Sequence, residues 1–279
     1  MTTKGRTLLN LSLILFITIA SCAKQSAVFK VNFEPESIYS NRMEQVITTQ
    51  ISYNGSADFL NELRTQGITN PTISVDTLKI ISEFVTGRLD TNGYFPVTTE
   101  LKNIEGGLFN SLDFRFKAFG KSKKNEFPLF DSIQSNGIAK EQNQSILEML
   151  KNSFSQINFP NNPLKVGETF EQETPLLIPF GDRPIELKIR TVYKLRQING
   201  ELAIFDIEQH IQLSEKYHNS PIIAMGEGKG FLYYDLEYFY VIELETETDM
   251  KMELNRGEFS VIVNQTTLAK QKTTMKRSE

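Results

Sequence analysis

The sequence predicts a mainly β protein of the α+β class, with antiparallel sheets and one central amphipathic helix. Three observations predict it. The 20 Phe and 9 Tyr residues, with many Ile, Val and Thr and no Trp, favour strands. In most segments apolar residues recur at every second position with charges between them, as in antiparallel strands packed on one side and wetted on the other. Residues 138–157 depart from that rule. There Ile146, Leu150 and Phe154 recur every four residues, Leu147 stands beside them, and Pro160 stops the run.

The first element is a leader. Lys4 and Arg6 precede an apolar run, Leu8 to Ala20, interrupted by Asn10, Ser12 and Thr18. About a dozen residues fall short of the ~20 that span a bilayer as a helix. A basic start, a short apolar centre and small residues at its end describe a cleavable secretory segment, residues 1–21. Ile19-Ala20-Ser21-Cys22 then resembles the lipobox of bacterial lipoproteins. The resemblance implies cleavage before Cys22, a lipidated thiol at that residue, and acyl chains of the palmitate kind. Each buried methylene is worth ~0.8 kcal/mol, and two or more chains anchor stably. The alternative is a plain secreted protein with an incidental cysteine. As the single cysteine, Cys22 leaves no intrachain disulfide, so the core must hold the fold.

Residues 22–27 read as the lipidated cysteine and a tether, and residues 28–270 as a β-rich body. Its first strands are Val28 to Phe33 and Tyr39 to Tyr53; in the latter Tyr39, Met43, Ile47, Ile51 and Tyr53 share one parity. Asn54-Gly55 marks a turn, and Phe59, Leu60 and Leu63 a short helix ending at Gly67. Thr72 to Leu89 reads as a strand whose apolar parity switches between Val75 and Leu78, which predicts a bulge. Asn92-Gly93 supplies the positive φ of a tight hairpin turn. Leu108 to Phe119 is a strand running into the polar loop GKSKKNE.

The second half alternates more cleanly. Ile185, Leu187, Ile189, Tyr193 and Leu195 face one way, and Glu186, Lys188, Arg190, Lys194 and Arg196 the other. Asn199-Gly200 turns the chain, and Ala203, Phe205, Ile207, Ile211 and Leu213 return on one face. From Leu232 to Leu254 every even residue is uncharged. A single strand of that length would run ~75 Å, so the chain must bend or turn near Asp235 to Glu237. Gly257 to Gln265 makes a last strand, and residues 271–279 read as a fraying basic tail. Leu78-Lys79-Ile80 and Leu187-Lys188-Ile189 each lead into an Asn-Gly turn and a returning strand. Two lobes, 28–136 and 158–270, joined by the helix 138–157 would produce that echo; so would the general likeness of hairpins.

Charge excludes one class of function. Lys4 and Arg6 leave with the leader, so 28 of the 30 basic residues remain against 34 acidic ones, and no basic stripe with interleaved aromatics marks a nucleic-acid binder. Gly226-Glu227-Gly228-Lys229-Gly230 lacks the spacing of a phosphate-binding loop and reads as a flexible turn. His210 lies on a polar strand face and His218 in a loop, so no metal site is expected. No nucleophile elbow is present. Glu243, Glu245, Glu247, Asp249 and Glu253 alternate down one strand as a solvated face. The reading is therefore a protein that is not an enzyme and needs no cofactor.

The uncharged face of the 232–254 segment is the candidate ligand site: Leu232, Tyr234, Tyr238, Tyr240, Met250 and Met252, an apolar and pliable surface tipped with hydroxyls. It reads either as the core side of a sheet or as a concave sheet around a cavity for an acyl chain or similar ligand.

FPNNPLKVGETF, Phe159 to Phe170, resembles a phrase of uncharacterised lipoproteins of the Bacteroidetes type, carried here by Pro163, Leu164, Val166, Gly167, Glu168 and Phe170. Phe170 stands where that pattern has Trp. More distantly, the lipobox, β-rich body and amphipathic helix are similar to half-open-barrel lipoprotein carriers. That likeness implies a half-open barrel as the alternative to two lobes. Asp76-Thr77-Leu78 and Asp131-Ser132-Ile133 resemble the O-glycosylation motif of the same bacteria. CAKQSA lacks the acidic residues of a surface-export signal, which implies an outer-membrane anchor facing the periplasm. The expected function is binding: an apolar ligand or lipid on the sheet, or, as a scaffold, an envelope protein docked on a sheet edge or on the helix 139–156. A hydrolase is the least favoured reading.

Overall fold

The computed structural model describes residues 25–106, 115–136, 143–144, 147, 150, 157–178, 185–214 and 221–278. The leader and Cys22 lie outside them. The protein is mainly β and antiparallel. Its strands are β1 (Ser26–Ala27), β2 (Ser37–Gly55), β3 (Thr72–Thr86), β4 (Tyr94–Gly106), β5 (Arg115–Lys123), β6 (Leu129–Asn136), β7 (Leu164–Lys165), β8 (Thr169–Ile178), β9 (Ile185–Asn199), β10 (Leu202–Leu213), β11 (Ile222–Asp235), β12 (Tyr240–Asn255) and β13 (Phe259–Arg277). One short helix, α1 (Ala57–Thr65), follows β2; the side chain of Ser56 caps it by accepting from Phe59 N. Of the expected central helix, Asn143, Gln144, Leu147 and Leu150 are described and helical, with both leucines buried.

Eleven strands form one open sheet in the order β6-β5-β4-β3-β2-β13-β12-β11-β10-β9-β8, and it does not close into a barrel. The chain steps outward from β2 to the edge at β6, crosses to the opposite edge at β8, and steps back to β13. The two expected lobes are thus two meanders of a single sheet, fused where β2 pairs with β13 over 19 residues each. β3 and β9, which carry the sequence echo, are each the second strand of their meander, β3 toward the middle of the sheet and β9 beside an edge.

Strand alternation divides the sheet into a packed face and a charged face. Three apolar clusters lie on the packed face. The first centres on Phe205, Leu232, Tyr234 and Leu195, and the second on Tyr39, Phe84, Phe95, Val97 and Phe130 with Leu147 and Leu150. The third gathers Ile185, Leu187, Ile211, Ala224, Met250 and Met252. Between the clusters β13 has no buried residue at all, and β2 only Ser37 and Tyr39. Buried apolar side chains contribute about 1.5–3 kcal/mol each, so the two meanders hold themselves and the central ribbon connects them.

Several local expectations change. The basic tail is the end of β13: Lys270, Lys272 and Lys276 alternate with uncharged residues and pair with β2 as far as Arg277 opposite Ser37. Chain ends usually fray, but this one is held by β2, a strand more than two hundred residues earlier in sequence. The Gly226–Gly230 stretch is not a flexible turn but the middle of β11. A Cβ on Gly230 would lie 2.0 Å from the Glu245 carbonyl oxygen, so glycine is required by close backbone approach. β3 has no bulge of its own: the extra residue is Lys102 of β4, opposite the step from Ile81 to Ser82, and the Val75–Leu78 switch keeps a continuous register with β2 and only changes which face carries apolar residues. GKSKKNE is largely strand, since β5 runs to Lys123. Val28 to Phe33 is not a strand, and the tether is shorter than expected, because Ser26 and Ala27 pair with Lys165 and Leu164.

Candidate functional site

The six expected ligand residues are not brought around one cavity. Leu232 and Tyr234 are fully buried in the first cluster. The Tyr234 ring packs edge-on to Phe29 and Phe159, with centroids 5.3 and 5.2 Å away. Met250 and Met252 belong to the third cluster. Tyr240 leans on the second cluster, edge-to-face with Tyr39 at 5.8 Å. Tyr238 sits in the β11–β12 turn, where its N–H donates to Asp235 Oδ1 at 2.8 Å. The physical reason is the hairpin. The 232–254 segment is two strands, with a register shift at Tyr233/Tyr234 and a turn over residues 236–239, so one alternation is shared between separate ends of the sheet.

What Tyr234 does instead is hold the N-terminus. From Gln25 to Glu36 the chain lies across the packed face as a strap. Val166 N donates to Gln25 O at 2.8 Å. Phe29 is buried against Phe205, 4.9 Å between centroids. The Tyr234 hydroxyl accepts from Lys30 N at 3.2 Å and donates to Lys30 O. Asn32, also buried, donates its N–H to Phe239 O and accepts from Asn125 N, each at 3.1 Å. Phe33 then enters the second cluster, 4.7 Å from Phe84, and the Tyr39 hydroxyl accepts from Glu34 N at 2.8 Å. Thr86 Oγ1 donates to Glu34 O at 2.6 Å, and Glu36 closes the strap between Gly87 and Ser278. The first and second clusters thus each contribute a buried tyrosine whose hydroxyl meets strap backbone. Burial raises both phenols, Tyr39 to about 12 and Tyr234 higher.

The FPNNPLKVGETF phrase is the strap's first mooring. Leu164 is buried, Gly167 has a φ of 92°, and Glu168 Oε2 accepts from Lys165 N at 2.8 Å. Phe170 stacks on Tyr193 at 4.7 Å and 10°. A phenyl ring suffices there, because nothing is asked of it but a flat face.

A groove of about 770 Å³ lies on the opposite, charged face, running from β9 to β2. Its apolar lining includes Val46, Phe231 and Leu268, and its charged lining includes Glu44, Lys194, Glu208, Lys229 and Glu245. Phe231 and Leu268 are 39 % and 48 % exposed. Alternation predicted solvated charges here but not that they would surround apolar side chains. Ion pairs cross the strands: Lys229 to Glu247 at 3.1 Å, Lys270 to Glu243 at 2.6 Å and to Glu245 as well. The two glutamates raise the Lys270 pKa, and Lys270 in turn lowers that of Glu243. His210 is exposed on this face, and His218 lies outside the described residues. Among the described residues no three His, Cys, Asp or Glu side chains converge as a metal site would require, and no helix is long and apolar enough to cross a membrane. Compared with known proteins, the chain matches no family model and no curated sequence.

Proposed function

We propose that this chain is a lipid-anchored envelope protein with a non-catalytic docking role. Anchored through Cys22 in the outer membrane and facing the periplasm, it presents its sheet to a protein partner. The strap is the observation that carries this reading. It begins three residues after Cys22, and at ~3.3–3.6 Å per residue the lipid would sit within ~11 Å of Gln25. From there the chain is moored to two apolar clusters in succession. That arrangement couples an anchor to a broad sheet, and it uses the very tyrosine that a ligand cavity would need.

The test is lipidation and retention. Cells expressing the full chain, labelled with tritiated palmitate, should incorporate label into the protein and hold it in the outer-membrane fraction, whereas Cys22→Ser should carry none and appear in soluble periplasm. Chemical cross-linking in the same cells should capture the wild-type chain in adducts heavier than the lipidated chain itself. Label in Cys22→Ser, or a wild-type chain free of adducts, would end this reading.

A second reading is favoured by the groove. Val46, Phe231 and Leu268 between lysines and carboxylates suit an amphipathic ligand with an apolar chain and a charged head. Native mass spectrometry of the purified protein, followed by solvent extraction, tests it. An adduct lost in Phe231→Asp would support it, and a clean apo mass in the presence of added phospholipid would sink it.

A further inference from the structure

We infer that the free edge of β3 at Thr72–Thr77 is a strand-addition site for an extended polypeptide segment of a protein partner, an inference that rests on the docking role above. β3 pairs with β2 along its whole length, from Thr72 opposite Ile51 to Val85 opposite Ile38, but with β4 only from Leu78 onward. Among the described residues nothing pairs with Thr72–Thr77 on the other side. All six residues are exposed, and Ile73 and Val75 are each 63 % exposed. In an antiparallel ladder alternate residues turn both backbone groups to the same neighbour. Half of this segment's N–H and C=O groups therefore face outward.

Edges are ordinarily defended by charge, proline or brevity. The two outer edges of the sheet follow that rule: β8 carries Glu171, Glu173 and Pro175, and β6 has eight residues with Asp131 near its start. Thr72–Thr77 reads TISVDT, β-branched or hydroxylic apart from a single acid, Asp76. It is also held in place. The Asn70 side chain clasps both backbone groups of Tyr53, accepting from its N–H at 2.9 Å and donating to its carbonyl at 2.7 Å, just before the strand begins. Behind it, β2 is paired with β13 throughout. A strand that is rigid, open and undefended is a template.

Free main-chain donors and acceptors at strand spacing are chemically specific for another polypeptide in extended form. On the charged face the side chains beside this edge are uncharged. Ile73 and Val75 stand opposite Gln50 and Thr48, Thr77 opposite Val46, and Val46 opposite Leu268, so an uncharged strip runs from this edge to the groove. The partner segment would place apolar residues over that strip at alternate positions and a basic residue near Asp76, which points to the other face beside Ile47. A second copy of this chain is the poorer occupant. Six residues make a ladder about 20 Å long, small against the ~1,200–2,000 Å² that stable dimers bury.

The test uses the full chain in detergent micelles and a defined probe: a peptide of alternating Thr and Val with one central Lys, flanked by lysines. Amide hydrogen exchange within residues 73–77 should slow at least tenfold with the peptide. N-methylating the peptide residues that face β3 should abolish this protection, and N-methylating the alternate set should not. Unchanged exchange, or equal protection by both methylated peptides, overturns the inference. In cells, the cross-linked adducts of the wild-type chain should be lost in Ile73→Lys/Val75→Lys, both substitutions being of exposed side chains, with far-UV dichroism unaltered. Adducts that persist in that variant would overturn the edge assignment and leave the docking role standing. Adducts at twice the chain's own mass would give the edge to a second copy and likewise overturn it. No adducts in either chain would remove the docking role and the edge with it.

Discussion

Tyr234 and Lys30, 204 residues apart in sequence, are joined through one phenol that accepts from the Lys30 N–H and donates to the Lys30 carbonyl. Replacing Tyr234 by Phe keeps the ring among Phe29, Phe159 and Leu232 but leaves two strap backbone groups without a partner. Each such group costs about 1–3 kcal/mol when buried. Tyr234→Phe should lower the unfolding free energy by that order, read as a lower urea midpoint with little change in slope. Phe29→Ala, which empties a ring site of the first cluster, should cost more, about 3–5 kcal/mol.

Strongly alkaline pH should loosen the strap at Tyr39. Burial lifts Tyr39 and Tyr193 from about 10 to about 12, so their neutral forms are favoured in the folded state. The stability this linkage contributes is fully present below pH 10 and is lost as pH rises towards 12. Phenolate absorbance, free of Trp in this chain, should show a late-titrating class, and Tyr39→Phe should flatten the fall in denaturation midpoint above pH 10.

Glycine is needed unequally along β11. A Cβ at Gly230 would meet the Glu245 carbonyl oxygen at 2.0 Å, whereas at Gly228 it would meet the movable Gln209 and Thr248 side chains at 2.7 and 2.9 Å. Gly230→Ala should therefore destabilise by about 1–3 kcal/mol, as overpacking does, and Gly228→Ala by less. Thermal unfolding of the two variants side by side decides it; the reverse order would mean that the sheet bends more freely than its register implies.

Lys270 should matter only at low salt. It is exposed and bridges Glu243 and Glu245 on the neighbouring strand, an arrangement that ions screen within about 10 Å at 0.1 M. Lys270→Ala should lower the melting temperature in dilute buffer, with the difference closing in 1 M salt.

Alternation made the strands legible, and it correctly gave the inward residues of β9 and β10: Leu187, Tyr193, Leu195, Ala203, Phe205 and Ile207 are all buried. The Asn92-Gly93 and Asn199-Gly200 turns were equally plain, with φ of 80° at Gly93 and 59° at Gly200. Pairing between distant segments left no such mark. Nothing local in Lys270 to Arg277 tells that Glu243, Glu245 and Glu44 wait on adjacent strands, so a strand resembled a tail. The parity of Tyr234 announced burial but not what its hydroxyl would find. A tyrosine facing an open cavity and one facing the backbone of a distant strap have the same pattern. Phe29 and Phe33, three turns of alternation too few to be a strand, were the available sign that residues 28–33 pack as a strap.

The pairing of β2 with β13 sets an order of events. β2 pairs with β3 as soon as that strand follows it, but its other edge is met only when the 19-residue β13 has arrived, and contacts of such separation slow folding. As the chain is made, β2 must wait with one edge open while some two hundred residues follow it. Ser278, which donates to Glu36 O at 2.8 Å, follows later still. A chain ending at Ala269 would lack the partners of β2 from Ser37 to Glu44, and the failure would show beside the strap.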